Sequence, residues 1–113
     1  MQSNAQAIFE SWKNEPSLDA ATRAELTAIE NDPREIEERF YRELEFGTAG
    51  LRGIIGAGTN RMNAYVVRWA TQGLCDYLAT VPGAKERGVC VAYDSRLFSD
   101  EFAKQTACVL AGN

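Results

Sequence analysis

Phe46-Gly-Thr-Ala-Gly-Leu-Arg-Gly-Ile-Ile-Gly-Ala-Gly-Thr-Asn60 is where the chain changes character. Five of the nine glycines fall in this run, and none precedes it. Glycines at 47, 50, 53, 56 and 58 let the backbone approach a ligand closely and take positive φ. Leu51 to Ile55 reads as a strand, Gly56 to Asn60 as a turn, with a short return near Arg61-Met62. Thr48 offers a hydroxyl, and Arg52 offers a planar fork of donors suited to a phosphate. Successive backbone N–H groups in such a turn can form a nest for an anion. Two readings fit the run: a phosphate cradle, and tight turns around a plain β-hairpin. The run is not a Walker A loop, because no Gly-Lys-Ser/Thr follows, and not GxGxxG, because Arg61 stands where the third glycine would.

Upstream, residues 1–45 read as a helical N-terminal extension. A first helix over 5–14 places Ala5, Ile8, Phe9 and Trp12 on one face, and Asn14-Glu-Pro16 ends it. Ser17 can cap a second helix running to about Glu30, with Leu18, Ala21, Leu26 and Ile29 available for burial. Asp32, Pro33 and Glu35 suit N-cap, N1 and N3 of a third helix reaching about Leu44, whose apolar stripe is Ile36, Phe40 and Leu44. Glu35, Glu37 and Glu38 with Arg39 and Arg42 read as a solvated face laced with i,i+4 pairs rather than a catalytic dyad.

Downstream, residues 46–113 alternate strand and helix, the beginning of an α/β layer. Asn63 is placed to cap a helix over 64–81, with Val67, Ala70, Leu74 and Leu78 at helical spacing, flanked by Val66, Tyr77 and Val81; Pro82-Gly83 stops it. Val89-Cys-Val-Ala-Tyr93 reads as a strand covered on both faces. Its end, Asp94-Ser-Arg96, places Arg96 either near an anion or in a pair with Asp94 that fixes the turn. Ser99 is placed to cap a last helix that buries Phe102, Ala103, Thr106, Ala107, Val109 and Leu110. The last helix should lead to another parallel strand, so the α/β domain is expected to be incomplete. An uncovered helix face and an open sheet edge point to self-association.

Composition bounds the chemistry. The 113 residues carry a net charge of −4 and are 45% hydrophobic, which excludes global disorder and argues against a nucleic-acid binder. The acids concentrate in residues 1–46, net −6, while residues 47–113 carry net +2, a balance that suits a small anionic ligand. Histidine is absent, which excludes Ser-His-Asp or Cys-His nucleophiles and any imidazole-ligated zinc. Cys75, Cys90 and Cys108 form no CxxC pair, read as small core residues, and fit a reducing cytoplasm. No apolar run is long enough to span a membrane, and the first ten residues carry no signal-peptide pattern.

Phe46-Gly-Thr-Ala-Gly-Leu-Arg-Gly53, followed by Asn60-Arg-Met-Asn63, resembles the start of the α-D-phosphohexomutases, nearest the phosphoglucomutase and phosphopentomutase branch. Val91-Ala-Tyr-Asp-Ser-Arg96 and Ser99-Asp-Glu-Phe-Ala103 are similar to that family's next strand and helix. Glucosamine-phosphate mutases are similar too, but carry Asp where this chain has Ala49. The resemblance implies a four-domain enzyme interconverting sugar 1- and 6-phosphates, glucose phosphates or pentose phosphates. It implies an active-site phosphoserine, bound Mg²⁺ and glucose 1,6-bisphosphate as the activating intermediate. It places Thr48, Gly50 and Arg52 in the motif that faces the phosphoserine and the substrate phosphate, and makes Arg96 a structural or near-site arginine. The family's Thr-Ala-Ser-His-Asn-Pro and Asp-x-Asp-x-Asp/Arg loops are missing. No catalytic residue and no metal ligand is therefore expected in this chain, and by itself it is expected to be inactive. The partners implied are a phosphosugar and the remaining domains of the same enzyme, with no nucleic acid and no membrane. The rival reading is a non-catalytic anion-binding or interaction module.

Overall fold

Three helices open the chain, and the last two carry side-chain caps at their starts. In a computed structural model, which describes residues 4–47 and 50–113, α1 spans Asn4–Lys13, α2 Ala20–Ala28 and α3 Pro33–Phe40. The Asp32 carboxylate accepts from the Glu35 amide at 3.2 Å with Pro33 opening the helix, as the capping pattern requires. α2 starts later than the sequence suggests. Its N-cap is Asp19, which accepts from Thr22 N at 3.0 Å and from Thr22 Oγ1 at 2.6 Å, whereas the Ser17 hydroxyl donates to Glu15. A carboxylate that can take both donors outcompetes the single hydroxyl two residues earlier. The end of α1 is covered by the Arg23 guanidinium of α2, which donates to the Lys13 and Glu15 carbonyls at 2.6 and 2.7 Å.

The chain divides into two compact units, Met1–Asn63 and Ala64–Asn113. In the first, Ala5 and Phe9 of α1, Leu18, Leu26 of α2, and Ile36 and Phe40 of α3 close a small core. Phe40 is fully buried and meets Phe9 and Trp12 edge-on, with ring centroids 5.8 and 5.5 Å apart. Composition changes at Phe46, but compactness divides the chain after Asn63, because residues 57–61 are buried against α3. Strands β1 (Phe46–Gly47) and β2 (Gly50–Leu51) pair antiparallel, Phe46 opposite Leu51 and Gly47 opposite Gly50. The strand expected over 51–55 therefore stops at Leu51, and only an isolated bridge joins Ile55 to Met62.

In the second unit α4 (Ala64–Leu78) packs on α6 (Ser99–Gly112), with the short α5 (Ala84–Arg87) between them in sequence. The contact is partly polar: Thr71 meets Thr106, Arg68 donates to Gln105 at 2.7 Å, and Gln72 and Asn113 bond each other. The buried stripe of α4 is Val66, Val67, Thr71 and Cys75, while Leu74 and Tyr77 stay exposed. Residues 89–93 are not a strand. Val89, Val91 and Tyr93 are exposed, and no ladder partner lies among the described residues. Extended backbone becomes a sheet strand only when a neighbour satisfies its N–H and C=O groups. α6 has no fully buried residue, Ser99 is its first residue rather than its cap, and the N-cap position belongs to Phe98 at φ 65°. Cys90 and Cys108 are exposed, so of the three cysteines only Cys75 is the core residue expected. The described residues thus show helices with one short hairpin, not the α/β layer expected for 46–113.

Candidate functional site

Arg52 follows β2 directly, is exposed, and forms no ion pair among the described residues. An unpaired guanidinium beside a glycine hairpin is free to take an anion bidentately. The flanking chain is closely packed: a Cβ on Gly53 would stand 2.8 Å from Leu44 Cδ1, so the end of that side chain would have to shift to admit one. Gly50 lies in the hairpin ladder, opposite Gly47. Thr48, the hydroxyl expected to face the phosphate, lies outside the described residues.

The hairpin is fastened at both stems. Leu44 N donates to the Thr59 carbonyl at 3.1 Å on the way in, and Met62 N to the Ile54 carbonyl at 2.8 Å on the way out. The segment receiving these bonds is unusually polar for its burial. Ala57, Thr59, Asn60 and Arg61 are each 2–6% exposed. Asn60 N donates to the Arg39 carbonyl at 2.8 Å and its side-chain amide to the Glu38 carbonyl at 3.0 Å, while Thr59 Oγ1 donates to the Arg42 carbonyl at 2.8 Å. Asn63 spans the turn, its amide donating to the Gly56 and Gly58 carbonyls, both at 2.9 Å. These side chains replace the ladder that an irregular buried segment lacks.

Arg39 sits at the centre. Its Nε donates to Glu35 at 2.8 Å, the i,i+4 pair expected, and its Nη1 donates to Glu25 at 2.7 Å and to the Ala57 carbonyl at 3.1 Å. With a side chain 15% exposed it does not belong to a solvated face. Burial pulls its pKa down, but the hydrogen bonds and charges of Glu25 and Glu35 outweigh that and hold the guanidinium above its usual range. Arg61 is also buried, donating to the Asn60 carbonyl at 2.9 Å and facing Glu38 at 3.9 Å. Sequence reasoning missed this set because Glu25, Arg39 and Ala57 are separated by 14 to 32 residues.

Arg96 stands in the second unit and closes a turn. Its backbone N–H and Nε both donate to Asp94, at 3.0 and 2.7 Å, and Asp94 N donates to the Ser99 hydroxyl. The backbone bond from Arg96, helped by its guanidinium and by Ser99, holds the Asp94 carboxyl below its ordinary range. Of the two readings of Arg96, the structure shows the pair that fixes the turn. Among the described residues no group of three or more Cys, Asp or Glu side chains is gathered as a metal ion would require. No helix is long and apolar enough to cross a membrane.

Residues 43–113 match the family model described as phosphoglucomutase/phosphomannomutase, alpha/beta/alpha domain I. The chain belongs to this phosphoglucomutase/phosphomannomutase family. It is 40% identical over 94 residues to a probable phosphoribomutase of Schizosaccharomyces pombe, covering 80% of this chain and 16% of that protein. It is 36% identical over 85 residues to human phosphopentomutase, covering 74% of this chain and 13% of that protein. It is 40% identical over 74 residues to phosphoglucomutase of Staphylococcus saprophyticus, covering 66% of this chain and 13% of that protein. The chain thus spans about a seventh of the length of the curated relatives it matches. No solved structure matches it. The matched region includes the glycine hairpin, the buried segment 57–61 and α4 to α6.

Proposed function

We propose that this chain is the part of a sugar-phosphate mutase in which Arg52 binds a phosphate of the substrate. The parent enzyme would interconvert glucose 1- and 6-phosphate, or the corresponding pentose phosphates, through a phosphoserine that this sequence does not supply. The exposed guanidinium after the glycine hairpin, without an ion pair among the described residues, carries the reading. Phosphoryl transfer leaves little covalent chemistry for such a residue. Its contribution is position and charge against oxygens that stay negative throughout. Thr48 and Gly50 are assigned to the same pocket by the family motif, with Arg96 a positioning residue of the turn after residue 93. Mg²⁺ and the bisphosphate intermediate belong to this proposal for the whole enzyme. The exposed apolar positions Val89, Val91 and Tyr93 fit a strand covered by other parts of such an enzyme. Three free cysteines support a cytoplasmic location.

Two measurements test the reading. Inorganic phosphate titrated into the ¹⁵N-labelled 113-residue chain should shift the amides of residues 50–53, and Arg52→Ala should weaken that binding by about tenfold, the worth of a charge-assisted bidentate contact. Equal binding by both proteins would refute the assignment. The same chain assayed with glucose 1-phosphate should form no glucose 6-phosphate, because its sequence carries no phosphoserine loop. Sustained turnover would show that the chemistry lies in residues other than those assigned.

A further inference from the structure

We propose that Glu25 and Arg39 are a positioning pair that sets where the Arg52 hairpin stands, an inference that rests on the phosphate reading of Arg52. One carboxylate oxygen, Glu25 Oε1, accepts from Arg39 Nη1 at 2.7 Å and from the Ala57 amide at 3.1 Å. Arg39 Nη1 in turn donates to the Ala57 carbonyl at 3.1 Å. Both backbone polar groups of one buried residue are therefore held by two side chains, one from α2 and one from α3. The α3 backbone adds the bond from Asn60 N to the Arg39 carbonyl.

The gripped segment is the one that carries the hairpin. Thr59 receives the entering stem at Leu44, and Met62 holds the leaving stem at Ile54. Gly56 N bonds the Met62 carbonyl at 3.1 Å and closes the far side. Moving Ala57 moves both stems together, and the guanidinium of Arg52 with them. Removing the Glu25 carboxylate would strand the buried Ala57 amide and leave Arg39 with one carboxylate, Glu35, beside its bond to the Ala57 carbonyl, and buried partners that lose their match cost more than the bond itself.

The sign of the effect separates positioning from electrostatics. Glu25 is negative, so deleting it should strengthen phosphate binding if only charge mattered. Positioning predicts the reverse. Phosphate titrated into the ¹⁵N-labelled full chain should bind Glu25→Ala about fivefold more weakly at residues 50–53, the worth of roughly one lost hydrogen bond. Glu25→Gln removes the charge but keeps an acceptor for Ala57 and Arg39, and should bind as the unsubstituted chain does. In Glu25→Ala the Leu44 and Met62 amides should exchange about tenfold faster as the stems open locally. Unweakened binding by a folded Glu25→Ala, or equal weakening in Glu25→Gln, would overturn the pair's role. If Glu25→Ala fails to fold, Arg39→Lys carries the same expectation, since it keeps the charge and loses the fork. If the unsubstituted chain shows no phosphate response, the Arg52 reading falls. Unchanged Leu44 and Met62 exchange in Glu25→Ala would then overturn the pair as well.

Discussion

Phe40→Ala is expected to unfold the first unit near physiological temperature. The ring is 0% exposed and closes the core from the last turn of α3, with Phe9 and Trp12 set edge-on at 77° and 80°. Truncating a buried phenylalanine costs ~3–5 kcal/mol through lost transfer energy and the cavity left behind. Each edge-on ring contact adds about 0.5–1.5 kcal/mol beyond its area. Whole domains are stable by only ~5–15 kcal/mol, and a unit this small sits at the low end. The unit's melting temperature should therefore fall by about 15 °C or more, since 1 kcal/mol is worth ~4–8 °C at this size. Trp12 fluorescence reports the first unit alone once Trp69 is changed to Phe. Phe40→Leu fills most of the volume and should cost about 1.5 kcal/mol or less. A shift of only a few degrees in Phe40→Ala would mean that the three helices do not depend on this ring.

The parts of this fold that were legible in the sequence are those specified within a few residues. Asp32, Pro33 and Glu35 announce the start of α3 because a cap needs only the first turn. Phe9, Leu26, Ile36 and Phe40 announce a core because each helix shows a single apolar stripe. α4 shows two. Leu74 fits the period as well as Thr71 or Cys75 does, and only the presence of α6 decides that Thr71 and Cys75 are covered while Leu74 is 43% exposed. Residues 89–93 have strand composition, but β structure needs a neighbour, and composition does not provide one. The site divides in the same way. Arg52 stands out because a string of glycines surrounds it. Arg39 looked like one more surface arginine because its decisive partners, Glu25 and Ala57, are 14 and 18 residues away. The Asp94–Arg96 pair was legible because its two residues are neighbours in a single turn.

Gly58→Ala should be the most damaging exchange in the glycine segment, and it tests the packing of the whole loop against α3. Gly58 has φ +130°, a region that L residues rarely enter, and holding one there costs of order 1–3 kcal/mol. A Cβ at this position would also stand 2.7 Å from the Arg39 carbonyl oxygen and 2.9 Å from Arg39 Cβ. Neither atom is the loose end of a side chain. The carbonyl already accepts from Asn60 N, so relief requires the loop to lift off the helix. Overpacking of this kind adds ~1–3 kcal/mol. The combined loss should be about 2–5 kcal/mol, with faster exchange at the Asn60 amide as the local sign. Two neighbouring experiments bracket it. Gly56→Ala would meet Glu25 Oε1 at 3.0 Å and Arg39 Nη1 at 3.2 Å, both ends of flexible side chains, and should cost less. Gly73→Ala meets nothing within 4 Å on α4 and should stabilise its helix by up to ~1 kcal/mol. If Gly58→Ala melted no earlier than Gly56→Ala, the close approach of this loop to Arg39 would be wrong, and the path by which the helices hold the Arg52 hairpin would be wrong with it.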